Sequence, residues 1–226
     1  VGRRVAQQAR VVSKACDDLL ATCRKPEDFA GDYRIGFVLT SSIRHLPGLL
    51  ARAQSEVPEV HFDVESGLSD DLLARVMTGD LDAAVITGGE LPAQVASVTL
   101  TTEELVYGLP TNAANWSIKT CMARLSFIHF MPETGIGRLI ARHLKEASLV
   151  PHDVIVLDSV EAVRECVSKG VGFSILPRPD IERHAGRAIS IKPLAGERIE
   201  RELVLVYLRG GALEPHIPVL RRLFDT

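Results

Sequence analysis

Four short stretches group hydroxyl, glycine and imidazole side chains: Thr40-Ser41-Ser42, Thr87-Gly88-Gly89, His129-Phe130-Met131 with Thr134-Gly135, and Val171-Gly172-Phe173. Hydroxyls beside the unpaired backbone N–H groups of a helix start suit a carboxylate or another small anion. Each hydroxyl taken alone is equally well a helix cap, so the case rests on joint placement. Arg44, His45 and Arg138 lie near these stretches and could neutralise an anion, or could simply face solvent. No catalytic set accompanies them. The chain has no GxSxG, no phosphate-binding P-loop and no GxGxxG after a strand. His129 could act in acid–base chemistry, but the sequence places no carboxylate beside it. The stretches are therefore expected to bind rather than to turn over a substrate, with no cofactor.

Other chemistries find little support. Cys16, Cys23, Cys121 and Cys166 form no CxxC and no metal-ligand spacing, so reduced structural thiols are expected. A redox switch would need an accessible, low-pKa thiol with a resolving partner. The His residues are scattered, with no HExxH pair, which argues against a metal. A net charge of −3 makes a nucleic-acid surface unconvincing. No apolar run reaches the roughly eighteen residues of a membrane span. The chain begins VGRRV, with neither an initiator Met nor an apolar signal core. It reads as a fragment of a longer, cytoplasmic protein.

The elements that must position these stretches follow from periodicity. Val5, Ala9, Val12, Cys16, Leu19 and Cys23 recur at 4-3-4-3-4, an a/d seam over residues 1–25. So narrow a stripe calls for a partner helix, in a second subunit or on its own domain. Residues 33–39 read as a strand. A helix follows, with Ser41 or Ser42 as its cap and Pro47 near its first turn. Residues 60–66 alternate as a second strand. In "SDDLLARVMTGDLDAAVIT", Ser69 reads as a cap, Asp70 and Asp71 suit the positive end of the helix dipole, and Gly79 is the stop. Residues 82–86 are then a strand apolar on both faces, as in a covered parallel sheet.

Residues 98–110 suggest two more strand-like pieces, and a second unit is expected from about Pro110. It repeats the order of the first: strand at 125–130, helix at 133–147, strand at 153–157, helix at 158–170, strand at 171–177. Asp158 and Glu161 fit a capping box. Residues 201–208 form a long strand and 216–224 a closing helix. The expected fold class is α/β. Two Rossmann-like lobes are joined by two crossing strands, with a cleft between them and a long linker helix ahead. Ligands in such open sheets bind beyond the carboxyl ends of the strands.

The residues resemble a known family. "GRRVAQQARVVSKACDDLL" is similar to the linker helix of LysR-type transcriptional regulators. "LPGLLARAQSEVPEV" and "SDDLLARVMTGDLDAAVI" follow the first lobe of their effector-binding region, and "DSVEAVRECVSKGVGFSILP" the second. "TNAANWSIKTCMA" departs from the family pattern and leaves the second lobe's first helix undefined.

The resemblance implies a fold like that of type II periplasmic binding proteins. It implies a linker helix at 1–25, a first lobe at 31–108 with 208–226, and a second at 109–207. It implies effector contacts at Thr40, Ser41, Ser42, Thr87, Gly88, His129, Met131, Thr134 and Phe173. Pairing through Val5, Ala9, Val12, Cys16, Leu19 and Cys23 would give a homodimer or homotetramer. The expected partner is a small-molecule effector, a carboxylate by preference. DNA would be bound only through a winged helix-turn-helix that these residues lack, and no membrane is involved. The competing reading is a solute-binding protein of the two-lobe periplasmic type.

Overall fold

The computed structural model describes residues 29–182, 188–194 and 198–224, together with Gly2, Val5 and Val12. Of the expected seam, Val5 and Val12 are helical and exposed. Ala9, Cys16, Leu19 and Cys23 lie outside the described residues, as does the rest of the linker segment.

The chain divides into two units, Val1–Leu100 with Leu203–Thr226, and Thr101–Glu202. The borders fall some residues earlier than the sequence suggested because they lie inside continuous strands, where no linker composition marks them. Strands β1 (Gly31–Val38), β2 (Val60–Gly67) and β3 (Ala83–Thr87) are parallel in the first unit, and β9 (Glu200–Leu208) closes it antiparallel, in the order β2-β1-β3-β9. Helices α1 (Leu39–Glu56) and α2 (Ser69–Thr78) are the crossovers, and α7 (Ile217–Phe224) packs on α1. Ile35, Phe37, Leu49, Leu72, Val76 and Leu205 are fully buried at the centre of this core.

The second unit repeats the plan. Strands β5 (Ser126–Phe130), β6 (Val154–Leu157) and β7 (Gly172–Pro177) are parallel, and β4 (Val95–Pro110) closes them antiparallel, in the order β6-β5-β7-β4. Strand β8 (Ile189–Pro193) adds to β4. Helices α3 (Ile118–Arg124), α4 (Gly135–Glu146), α5 (Val160–Ser168) and the short α6 (Arg178–Glu182) connect them. Phe127, Phe173, Ile140 and Tyr107 lie in its core.

The α2-to-β3 turn forms for the reasons its sequence suggests. Gly79 takes φ 75°, and its N–H bonds the carbonyl of Val76 at 3.1 Å. Arg34 on β1 then fixes the turn: its guanidinium donates to the Gly79 carbonyl at 2.9 Å, and its backbone N–H donates to the Asp82 carboxylate at 2.8 Å. Leu81 is thereby buried against Gly36, where an added Cβ would come within 2.9 Å of Leu81 and 2.6 Å of Leu72.

Several local expectations need correction. Helix α1 begins at Leu39, so Ser41 and Ser42 lie in its first turn and cap nothing; Pro47 falls inside the helix, two turns in. Ser69 is the first residue of α2 and its hydroxyl accepts from Thr87 N–H at 3.3 Å, so it does not cap the helix either. Ser159, not Asp158, caps α5, accepting from Ala162 N–H at 3.3 Å. Strand β4 is one element of 16 residues instead of two pieces. The undefined stretch after Pro110 is a 3-10 turn and then α3, capped by Ser117.

Candidate functional site

In the first unit, β1 pairs with β3 on one side and β2 on the other, with Phe37 opposite Val85 and Val38 opposite Gly67. Parallel neighbours end on the same side, so the segments after them share one edge. That edge gathers Thr40, Ser41, Ser42, Thr87 and Gly88, as the sequence suggested. It also gathers Leu68 and Ser69, which sequence reasoning missed as site residues. The signal was present: a second parallel strand ending at Gly67 had to deliver the next residues to the same edge.

The hydroxyls are not equivalent. Ser41 is fully buried and donates to the Val38 carbonyl at 3.2 Å. Ser42 is more open and donates to the Leu39 carbonyl at 2.8 Å, which leaves its oxygen lone pairs free to accept. Thr40 is buried, and Thr87 and Gly88 are half-buried.

In the second unit, β5 ends in a tight loop that the sequence marks with Met131 and Gly137. Met131 takes φ 39°, the left-handed region that non-glycine residues enter at a cost. Its N–H is held by the Leu157 carbonyl at 2.9 Å, and its own carbonyl accepts from the Thr134 hydroxyl at 2.7 Å. Thr134 caps α4, accepting from Gly137 N–H at 3.1 Å. Gly137 is required by close approach: a Cβ there would lie 2.3 Å from the Met131 carbonyl oxygen and 2.5 Å from that of Pro132. Arg138 braces the loop by donating to the Glu133 carbonyl at 2.9 Å.

His129 sits within β5, half-buried, with Nε2 3.4 Å from the Gly137 carbonyl oxygen. Burial holds its pKa below the ordinary value of 6.5, so the ring is neutral at pH 7. Met131 and Thr134 thus share the carboxyl edge of β5, with His129 just before it.

Phe173 does not join them. It is fully buried, with its ring 5.4 Å from Phe127 and 6.4 Å from Tyr107. It pairs with Phe127 at the start of β5, which puts it at the opposite end of the strands. An apolar residue one position after a glycine reads as a loop only until β7 is known to begin at that glycine.

The charges at the helix starts make a pattern. The first turns of α1 and α4 carry no acidic residue. The first turn of α2 carries Asp70 and Asp71, and that of α5 carries Glu161. In each unit the helix after the first parallel strand starts with no acid in its first turn, though Glu133 stands just ahead of the α4 cap, and the helix after the second carries acids that complement its dipole. An anion is favoured at α1 and α4 and opposed at α2 and α5.

Among the described residues, no group of three His, Cys, Asp or Glu side chains is placed to hold a metal ion. Cys121 is buried, and burial pushes its thiol pKa up, away from reactivity. Cys166 is half-buried, and Cys16 and Cys23 lie outside the described residues. No helix among the described residues is long and apolar enough to cross a membrane.

A family model described as the LysR substrate binding domain matches residues 26–226. The HTH-type transcriptional regulator YofA of Bacillus velezensis is 26% identical over 176 residues, covering 78% of this chain and 60% of its own length. The chain spans about three-fifths of the length of the curated relatives it matches. Among solved structures, the effector binding domain of QuiR in complex with shikimate superposes with a TM-score of 0.72 at 18% identity, covering 86% of this chain and 97% of that one. A cysteine mutant of OxyR from Corynebacterium glutamicum superposes with a TM-score of 0.79 at 14% identity, covering 99% of this chain and 72% of that one. These two likenesses are likenesses of fold.

Proposed function

We propose that this chain, which belongs to the LysR substrate binding domain family, is the effector-binding domain of a LysR-type transcriptional regulator and that its effector is a small carboxylate held at the start of α1 in the first unit, the start of α4 being the equivalent position in the second unit taken by itself. The observation that carries this reading is the charge pattern: these two helix starts lack first-turn acids, while α2 and α5 have them. Ser42, Thr40 and Thr87 supply polar contacts in the first unit. Thr134 and the neutral His129 ring are their counterparts at the α4 start. The shikimate bound in the QuiR structure is likewise a small carboxylate.

The role is binding without turnover, so bound acid is recovered unchanged. Binding changes transcription only if the effector has different affinity for two states of the assembled regulator. Those states are proposed to differ in how subunits associate through the helix that carries Val5 and Val12. Promoter DNA is proposed to be read by another part of the regulator, in the cytoplasm.

The test is a thermal-shift screen of small carboxylates, followed by titration calorimetry on Ser42→Asp. A carboxylate in the first turn of α1 stabilises the helix by about 0.3–1 kcal/mol through the dipole. The same charge repels an acid bound there. The expected result is an unchanged or raised Tm with affinity for the acid lowered more than roughly tenfold, since like charges a few Å apart differ by well over 1.4 kcal/mol. Equal affinity in wild type and variant would remove α1 from the site.

A further inference from the structure

Leu39, Ile43 and Leu68 are 42%, 45% and 42% exposed, and all three stand at the carboxyl edge of the first unit's sheet. Leu39 follows Val38 and Leu68 follows Gly67, and those two residues are paired across β1 and β2. The two leucines therefore leave neighbouring strands about 5 Å apart. Ile43 lies one helical turn beyond Leu39, on the same face of α1. Single exposed leucines are ordinary on a protein surface, but three large apolar side chains converging on one edge mark a contact surface. Met77 is the other large apolar residue of this unit's α/β body exposed to this degree among the described residues, and it lies at the far end of α2. The apolar exposure is thus concentrated at the edge that also carries Thr40, Ser42 and Thr87. Leu68 is the sharpest case. It occupies the position ahead of α2 where a hydroxyl or amide would serve a polyhydroxylated ligand, and it has neither.

We propose that Leu39, Ile43 and Leu68 are the specificity-determining wall of the effector edge, so that the effector is an acid with an apolar aliphatic or aromatic body, not a polyhydroxylated acid. This rests on the proposed carboxylate site. The carboxylate is held by the α1 start, and the body lies against the three apolar side chains. Burial of each methylene then adds about fourfold in affinity until the wall is covered. A hydroxylated ring of similar size gains nothing there, because its hydroxyls lose water without finding partners.

The test is titration calorimetry of the 226-residue chain with straight-chain carboxylates from acetate to hexanoate, with benzoate and shikimate, and with the matching neutral alcohols. The same series is run on Leu68→Ser/Ile43→Ser. Both residues are partly exposed, so the variant should fold, and its Tm checks this. Leu68→Thr alone is the milder second variant. Wild type is expected to gain about fourfold per methylene and to bind benzoate at least tenfold more tightly than shikimate. The double variant should flatten the slope and keep the affinity for acetate. Acids that bind with no dependence on chain length, or a slope unchanged in both variants, overturn the apolar wall and leave the carboxylate site standing. Alcohols that bind as tightly as their acids, with the slope intact, overturn the carboxylate site and keep the wall. If no compound binds, both fall.

Discussion

His143 faces inward from α4, 3% exposed, and its Nε2 lies 2.9 Å from the Tyr107 hydroxyl. Burial pushes the Tyr107 pKa up to about 12, with the nearby Cys121 adding to it. Burial also holds His143 below its ordinary 6.5, and His129 in the same direction. A base with a depressed folded pKa stays neutral while the unfolded chain takes up a proton. Stability is therefore present above about 6.5 and falls as pH drops below it, through the folded pKa. Glu65 behaves separately. Its hydrogen bonds to Arg75 hold its carboxyl below 4.5, so its share is lost only in stronger acid. The window from pH 7 to 5 thus belongs to the buried histidines. Urea unfolding should show lower stability at pH 5 than at pH 7, with a smaller difference in His143→Gln, whose amide can still bond Tyr107. An equal difference in the variant would mean that His143 does not set this dependence. At this scale the sequence was least legible. A serine near a helix start has several partners within reach, and Ser69 takes Thr87 N–H while Ser41 takes the Val38 carbonyl. Nothing local decides between them.

Among the elements, α2, its Gly79 stop and β3 could be read directly. An amphipathic face, a left-handed glycine and a doubly apolar strand are all local signals. Strand β4 could not. The run Thr101-Thr102-Glu103-Glu104 breaks its apolar pattern and looks like a boundary. The structure shows why it is not one. Glu103 is buried and accepts from Arg201 Nε at 3.0 Å, a partner 98 residues away. On the other face of the strand, Glu104 pairs with Arg178 at 2.8 Å. Burial pulls the Arg201 pKa down to about 10, which still leaves it charged at neutral pH. Removing one partner of such a pair strands a buried charge and costs about 3–5 kcal/mol. Arg201→Met and Glu103→Gln should each unfold at much lower denaturant. The double variant should recover part of the loss, because Glu103 no longer leaves a buried charge, while the buried Asp180 carboxylate, which also acts on Arg201, still loses its cation. Additive losses would mean that the two side chains contribute independently.

For the whole molecule, the most legible feature was repetition. Strand, helix, strand, helix, strand occurs twice, and each unit adopts the same strand order with an antiparallel fourth strand. The shared order is what makes α1 and α4 equivalent, and hence what gives the matching absence of first-turn acids its weight. The borders between units were not legible, since β4 and β9 run through them without a change in pattern. Association between chains is argued from the other end of the sequence. Val5 and Val12 are one heptad apart, both helical, and 61% and 62% exposed. Valines at that spacing form the start of an a/d stripe that the sequence continues through Leu19. Burying each valine in a partner helix contributes about 1.5 kcal/mol or more, and an aspartate in the same seam reverses the sign. Light scattering should therefore give the chain a mass above that of one 24.6 kDa subunit. Val12→Asp with Leu19→Asp should lower that mass at equal concentration and leave the Tm of the two α/β units in place, since Val12 is exposed and belongs to neither core. A wild-type mass of one subunit, or a mass unmoved by the double substitution, would show that the stripe is not what holds subunits together. The proposed route from bound acid to promoter would then have to run through another surface.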